Sequence, residues 1–328
     1  MGAERPRILT LNTPVSRKTP KISIGLPVYN GEAYLSEAID CLREQSYADF
    51  EIIVCDNASS DDTERICRHY AGLDDRIRYQ RNARNIGAAG NFNLTFTLSR
   101  GEYFKWAAHD DLLGKDYLLR CLERLEQNPS VVLCHTAAQY IDEAGRHIPN
   151  PPAPVPDARS SLPNVRFAQL IDMRHWCLDI FGLIRRSSLA KTPLISDYIG
   201  SDRNTLASLT LMGQFDRAPE RLFFTRDHRE RSVRKIPLHE RNAWFNPEQK
   251  KRITFPHWRV FAEYIKTVQR ADIPSQEKLL CGRHLFLWLC RTRLRLRKDC
   301  RMALKQFLIN NDIDYAKYRF WKRLRNRG

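Results

Sequence analysis

The sequence predicts an α/β protein, a mainly parallel sheet flanked by helices and followed by a basic helical C-terminal region. Three observations carry this. Short β-branched apolar runs alternate with amphipathic stretches through residues 21–138, the pattern of βαβ units. Three of the strand-like runs end in polar residues, at Tyr29-Asn30, Asp56-Asn57 and Asp110-Asp111. Charge is unevenly spread: residues 229–328 hold 26 Lys+Arg against 9 Asp+Glu, and the preceding residues 28 against 29. The shift marks a near-neutral domain followed by a basic one.

Lys21 to Val28 is an apolar run with β-branched residues, so a first strand, and Tyr29-Asn30-Gly31 is a turn. Leu35, Ala38, Ile39 and Leu42 recur at helical spacing within Glu32 to Glu44. A second strand spans Glu51 to Cys55. Asp61 and Glu64 stand at capping-box spacing before a helix continued by Ile66 and Tyr70. Arg76 to Tyr79 is a short third strand, and a third helix opens within Asn85 to Asn91 and closes by Gly101. Tyr103 to Ala108 is a buried strand that stops at His109-Asp110-Asp111. A helix from Lys115 to Glu126 and a strand from Ser130 to Ala138 follow. The proline-rich stretch Pro149 to Pro156 is a loop, because proline removes backbone donors and fixes φ. Asn164 to Met173 and Ser187 to Lys191 read as helices, as does the stretch from Tyr198 through Leu211. Arg221 to Thr225 is the last strand.

Composition excludes several classes. With 42% hydrophobic and 28% charged residues the chain is globular rather than disordered. No apolar run approaches the roughly 20 residues that span a bilayer. Met1 to Pro20 has no hydrophobic core and reads as a flexible tail, not a secretory signal. Nine cysteines, never spaced Cys-x-x-Cys, argue against a zinc site or disulfide framework and suit a reducing cytoplasm.

Adjacent carboxylates at a strand's carboxyl end repel each other and lie where ligands bind in open α/β sheets. Asp110 and Asp111 therefore have two readings. A divalent cation can bridge their oxygens to phosphates, or they cap the next helix. Convergence of three polar strand ends on one sheet edge favours the cation.

Ile24-Gly-Leu-Pro-Val-Tyr-Asn-Gly-Glu32, Ile53-Val-Cys-Asp-Asn-Ala-Ser-Ser-Asp-Asp-Thr63, Asn85-Ile-Gly87 and His109-Asp110-Asp111, in that order, resemble family 2 glycosyltransferases over about residues 21–232. The resemblance implies a GT-A-type, Rossmann-like fold and inverting transfer from a nucleoside-diphosphate sugar, a UDP-sugar by preference, with Mn²⁺ or Mg²⁺. By the same resemblance Pro27, Tyr29, Asn30 and Glu32 cradle the nucleotide. Asp56 accepts a hydrogen bond from a uracil-type ring, with Asn57 as its neighbour, and Arg84 and Asn85 line the nucleotide. Asp110 binds ribose and Asp111 the metal, while His109 replaces the family's first aspartate. Asp202 is the candidate general base, with Ser201 in place of the preceding glutamate and Asp197 as substitute base. His228 fits a metal or diphosphate contact, and Arg226, Arg231 or Ser232 would help hold the diphosphate.

The expected organisation is a tail (1–20), a GT-A domain (21–235) and a basic helical region (236–328). In the last, Trp258, Phe261, Ala262 and Ile265 recur on one helical face, continued by Val268. A bundle packed on the first domain is expected for 236–300. The tail Tyr315 to Arg327 interleaves aromatic and basic residues, which suits an anionic membrane surface. No nucleic-acid motif occurs, so nucleic acid ranks last. The acceptor expected is a glycan or lipid-linked hydroxyl, and the location the cytoplasm or the inner face of the cytoplasmic membrane. A sugar nucleotidyltransferase would need a Gly-rich basic loop after the first strand, which Tyr29 to Glu32 lacks. A nucleotide-sugar-binding protein without turnover is the other alternative, kept open by His109 and Ser201.

Overall fold

The computed structural model describes residues 19–149, 156–173, 177–231, 236, 241–249 and 253–310. Residues 1–18, most of the proline-rich loop, Ser232 and the tail 315–327 lie outside the described residues.

The central strand is β1 (Ile22–Val28), paired in parallel with β2 (Phe50–Asp56) and with β4 (Tyr103–Trp106). β3 (Ile77–Arg81) pairs in parallel with β2. Both β1 and β2 are buried throughout, as continuous apolar strands covered on both faces must be. The sheet continues through β5 (Leu112–Leu113), β6 (Val131–Ile141), β7 (His147–Ile148), β8 (Leu183–Arg185) and β9 (Gln214–Arg226), in the order β3-β2-β1-β4-β8-β6-β9-β5 with β7 on β6. The long registers are parallel, including β6 with β9. The antiparallel pairings, among them both neighbours of β8, are two-residue contacts. The mainly parallel α/β expectation therefore describes the sheet, with β8 as an inserted reversal.

Pro27 sits inside this central strand for a geometric reason. The Ala107 N–H donates to the Gly25 carbonyl at 2.8 Å, so odd-numbered residues of β1 turn their backbone groups towards β4. The donor missing at Pro27 faces a position where β4 has already ended, so no ladder bond is lost.

Helices α1 (Leu35–Arg43), α2 (Thr63–Leu73), α3 (Gly87–Thr97) and α4 (Tyr117–Gln127) connect the first strands. α1 buries Leu35, Ala38, Ile39 and Leu42, the stripe read from their spacing. The capping box expected at α2 does not form. Asp62 is its N-cap, Asp61 accepts from the Thr63 N–H at 3.1 Å, and Glu64 pairs with Arg68 at 2.8 Å. α4 starts at Tyr117 with Asp116 as N-cap, so Asp110 and Asp111 cap no helix.

α5 (Pro163–Asp172), α6 (Arg186–Leu189) and α7 (Ser201–Met212) follow, then α8 (Arg241–Phe245), α9 (Pro256–Arg270) and α10 (Ser275–Asn310). One apolar cluster joins Phe104 and Trp106 of the sheet to Phe167, Leu206, Tyr264 and Trp288, so α9 and α10 share a core with α5 and α7. The face α9 buries is rotated from the expected one. It holds Pro256, Val260, Tyr264 and Val268, whereas Trp258 is 42% exposed. Tyr264 decides the rotation, because its ring meets Phe167 and Trp288 edge-on.

Candidate active site

Four strand ends build one edge of the molecule. After β1, Asn30 adopts a left-handed backbone (φ 50°), a conformation asparagine tolerates. Its N–H donates to Ser59 Oγ at 2.9 Å, and its Oδ1 accepts from the Ser60 N–H at 2.9 Å. Glu32 exchanges bonds with the same loop, donating from its N–H to Asp61 and accepting from the Asp62 N–H. The turns after β1 and β2 are thus laced together. Tyr29, 46% exposed, stands free at the rim.

Behind them lies an asparagine network. Asn57 Nδ2 donates to Asn85 Oδ1 at 2.9 Å, and Asn57 Oδ1 accepts from the Ile86 N–H at 2.9 Å and from Asn82 Nδ2 at 3.2 Å. Asn82 also donates to Asn91, which donates to the Cys55 carbonyl. Gly87 opens α3 at φ 80°, and a Cβ there would meet the Phe245 carbonyl oxygen at 2.2 Å. The segment α8 therefore covers this loop, closing over it from the far end of the chain.

The carboxylate pair follows β4. Asp110 Oδ2 bonds His228 Nε2 at 2.8 Å, and Asp111 Oδ1 accepts from the Arg226 N–H at 2.9 Å. Burial pushes the Asp111 carboxyl up to about 7, and the charge of Asp110 adds to it. Burial acts on Asp110 in the same sense, but the His228 hydrogen bond and the nearby His109 outweigh it and hold that carboxyl well down. The two protons belong to the pair, one released early and one late. Arg231 lies within electrostatic reach of both carboxylates and donates to Thr225 Oγ1 at 3.2 Å. His109 packs on the first loop, since a Cβ at Gly31 would lie 2.9 Å from its ring.

Arg226 braces this pair from behind. Its Nε donates to the Asp110 carbonyl at 3.0 Å, its Nη1 to the carbonyls of Asp142 and Glu143, and its Nη2 to Glu37 at 2.6 Å. The guanidinium lies 4.6 Å from the Tyr34 ring centroid, and that ring meets His228 edge-on.

Several residues expected at the ligand make protein contacts in this arrangement. Arg226 is 1% exposed with its donors committed to protein acceptors, so it does not face a diphosphate. Asp56 is wholly buried, with Oδ1 taken by the Ser59 N–H and Oδ2 by Tyr79 and Arg81. Its carboxylate is closed to a base ring in this arrangement. Pro27 is buried within β1. Asn30, Glu32, Asn57 and Asn85 spend side-chain bonds on loop closure. Arg84 stands in solvent, its side chain 80% exposed and 4.0 Å from Glu248.

Asp202 stands apart, on the first turn of α7 behind Gly200 in a left-handed backbone (φ 89°). Burial raises its carboxyl. The Arg203 N–H at 2.8 Å, the Arg203 charge and the Cys177 thiol act against that rise. Cys177 itself holds a left-handed backbone (φ 56°). Ser201, where the family glutamate was expected, is fully buried with its hydroxyl unpartnered. Asp197 lies nearby in the turn before α7.

Fit to a divalent cation rests on few donors. Among the described residues no three His, Cys, Asp or Glu side chains are grouped to hold a metal ion. Asp110, Asp111 and His228 remain. The buried His228 Nδ1 has no partner among the described residues, and its Nε2 is bonded to Asp110. Mg²⁺-type sites use one or two carboxylates and take further oxygens from phosphates and water, so Asp110 and Asp111 fit an ion only when a bound diphosphate completes its coordination.

Sequence reasoning missed Tyr34 and Glu37, although they stand one turn apart at the start of α1. It also passed over Lys105, a charged residue inside an apolar strand. Lys105 is fully buried; its ammonium donates to the Phe181 carbonyl and lies 4.4 Å from the Tyr117 ring centroid. Burial pushes its pKa down to about 7.

The comparisons with known proteins bear on the family and the fold. The family model described as glycosyl transferase family 2 matches residues 23–191, more than half of the chain. The chain belongs to this family. An uncharacterized glycosyltransferase of Rickettsia typhi is 37% identical over 119 residues, covering 35% of this chain and 36% of that protein. Chondroitin synthase of Escherichia coli is 32% identical over 136 residues, 41% of this chain and 19% of the synthase. The chain thus matches well under two thirds of the length of these curated relatives. Among solved structures, Staphylococcus aureus TarS 1-349 in complex with UDP-GlcNAc is similar with TM-score 0.59 and 17% identity, over 81% of this chain and 71% of that one. The mannosyltransferase PcManGT of Pyrobaculum calidifontis, in complex with GDP-Man and Mn²⁺, gives TM-score 0.53 and 16% identity over 95% and 86%. At such identities these two show the shared GT-A-type fold alone. Among the described residues no helix of this glycosyltransferase is long and apolar enough to cross a membrane.

Proposed function

We propose that this family 2 glycosyltransferase moves a sugar, with inversion, from a nucleoside-diphosphate sugar to a hydroxyl of a glycan or lipid-linked acceptor in envelope or extracellular polysaccharide synthesis. The carrying observation is the Asp110–Asp111 pair, two adjacent carboxylates after β4 of which Asp111 is pushed up to about 7 by burial and by its neighbour. Such a pair is under-compensated without a cation. Asp111, with Asp110 and His228 beside it, would hold Mn²⁺ or Mg²⁺, which when bound neutralises charge on the leaving diphosphate. UDP-sugar is the preferred donor, in keeping with the UDP-GlcNAc held by TarS. The envelope assignment draws on the polysaccharide-making relative. The location that goes with this reading is the inner face of the cytoplasmic membrane, and the excess of Lys and Arg over residues 229–328 supports it.

In the reaction Asp202 takes the proton of the acceptor hydroxyl, a task its burial-raised carboxyl suits. The oxygen bonds to the anomeric carbon opposite the diphosphate. The carbon–oxygen bond to the diphosphate breaks, its electron pair leaves with the diphosphate, and the configuration inverts. Of Arg226, Arg231 and Ser232, all expected at the diphosphate, Arg231 takes that role in this reading, supported by its electrostatic reach to both carboxylates. Tyr29 offers a ring at the rim for the base, and Asn57 with Asn85 fixes the loop beneath it.

The test is transfer from a panel of UDP- and GDP-sugars with and without Mn²⁺, for the natural chain and for Asp111→Asn and Asp202→Asn. Loss in both, with nucleotide binding kept in Asp202→Asn, is the expected result. Unchanged transfer in both variants sinks the assignment. Tight nucleotide binding by the natural chain with no transfer to any acceptor makes it a nucleotide-sugar-binding protein.

A further inference from the structure

The 36-residue helix α10 carries a surface that glycosyl transfer does not use. Its inner face enters the core through Cys281, Leu285, Trp288 and Leu296. On the outer side, Leu279, Arg283, Phe286, Arg293, Arg297 and Leu304 follow at steps of three, four and seven residues, the spacing of one helical face. All six are exposed, Leu279 by 76%, Phe286 by 64% and Leu304 by 38%. Large apolar side chains scattered singly in solvent are ordinary, but a row of them along one helix face marks an interaction surface. An apolar groove between α9 and α10, lined by Phe261, Ile265, Leu279 and Phe286, continues it.

Charge selects the occupant. The carboxylates of α10 are both turned away from this face: Glu277 accepts from Asn164 at 2.8 and 2.9 Å, and Asp299, 1% exposed, accepts from His257. The stripe therefore presents cations interleaved with apolar groups, with neither carboxylate of α10 among them. A second copy of the chain laid along it would bring Arg293 and Arg297 against their own kind, which is unfavourable. An anionic bilayer satisfies both components, since acyl carbons accept Leu and Phe while headgroups meet the guanidinium groups.

We infer that the exposed face of α10, with the groove beside it, docks the protein on an anionic lipid bilayer. This assigns membrane contact to a folded, structured helix and not to the basic-aromatic tail alone, and it does not depend on the donor or on the roles given to Asp111 and Asp202.

The test is flotation of the full chain with phosphatidylcholine vesicles lacking or containing phosphatidylglycerol. The natural chain binds the anionic vesicles, and rising salt releases it. The double variants Leu279→Ser/Phe286→Ser and Arg293→Glu/Arg297→Glu are expected to lose about tenfold or more in vesicle partitioning, with unchanged circular dichroism and nucleotide binding. Variants that float like the natural chain overturn the inference and leave the contact to the tail. Equal binding to neutral vesicles overturns the electrostatic part. A concentration-dependent dimer that Leu279→Ser/Phe286→Ser dissolves overturns it in favour of self-association.

Discussion

The two ends of the sheet hold buried carboxylates in opposite conditions. At the amino end Glu51, 3% exposed, accepts from Ser23 Oγ at 2.7 Å and is bound by Arg78 at 2.9 Å and Arg100 at 2.8 Å. Burial acts to raise its carboxyl, but the bonds from Arg100, Ser23 and Arg78 win and hold it below the usual range. At the carboxyl end Asp110 and Asp111 sit side by side, and the nearest buried guanidinium, Arg226, gives them its backbone N–H while its side chain bonds the Asp110 carbonyl and Glu37. The first arrangement is complete within the protein. The second is under-compensated: Arg231 reaches both carboxylates electrostatically and His228 bonds Asp110, yet the Asp111 carboxyl stays raised.

The sharpest break of this contrast is a pair of substitutions with opposite signatures. Asp111→Asn is expected to lower kcat/KM by about 10³-fold, the scale of losing one well-placed electrostatic contact to a transition state. The same change is expected to raise the melting temperature of the metal-free protein at pH 8. The sign follows from linkage. A carboxyl raised from 3.8 to about 7 in the fold binds protons better when folded, so its contribution to stability falls as pH rises from about 4 to about 7. Kinetics and thermal melts at pH 8 check both halves, and a destabilised Asp111→Asn protein would mean that Asp111 is scaffold.

Glu51→Gln is expected to do the reverse. It removes the shared partner of Arg78 and Arg100, whose side chains are 26% and 46% exposed. The loss is therefore set at about 2 kcal/mol, below the roughly 3–5 kcal/mol of a fully buried broken pair. Because the folded carboxyl lies below its unfolded value, this stabilisation is present at neutral pH and disappears as pH falls through the folded value. Urea unfolding at pH 7 and near pH 3 measures the difference, and kcat at low temperature is expected to stay within about twofold.

How much of this was visible in the sequence depends on distance along the chain. The alternation of runs gave β1 to β4 and their helices, and the polar strand ends marked the edge where Asp110 and Asp111 lie. The closure of Asp56 was not legible, since it depends on the β2–β3 register that sets Asp56 opposite Arg81. Arg226 was expected at the diphosphate by the family resemblance; its acceptors lie at residues 37, 110, 142 and 143, which no local pattern connects. β8 is three residues within an apolar segment, too short to show a period. In α9 the spacing picked out Trp258 and left Tyr264 aside, and packing ordered them the other way, with Tyr264 buried and Trp258 exposed.

A smaller effect sharpens the contrast through pH. The proposed role of Asp111 in holding the metal requires that carboxyl ionised, so on that proposal stabilisation by Mn²⁺ is expected to grow as pH rises through about 7. Below that value apparent affinity falls by up to about tenfold per pH unit. Thermal shift with Mn²⁺ at pH 6 and pH 8 reads this directly. A shift independent of pH would place the ion away from Asp111.

The smallest expected effect concerns Lys105, the buried cation beneath this edge. Asp111 acts on it electrostatically and favours its charged form, yet burial wins and lowers it from 10.5 to about 7. The folded protein therefore binds this proton less well than the unfolded chain. The cost is fully present below about pH 7 and disappears as pH rises towards 10.5. Lys105→Met keeps the stem volume and removes the charge. The Phe181 carbonyl keeps a donor, because Tyr117 Oη donates to it at 3.1 Å. Replacing a buried charge by an apolar isostere is commonly neutral or stabilising, so stability at pH 7 is expected to rise or to stay within about 1 kcal/mol of the natural chain. Any gain is expected to shrink by pH 10. A loss of about 3 kcal/mol or more would instead make Lys105 the hidden counter-charge of Asp111, and the carboxyl end of the sheet would then be as self-sufficient as the amino end.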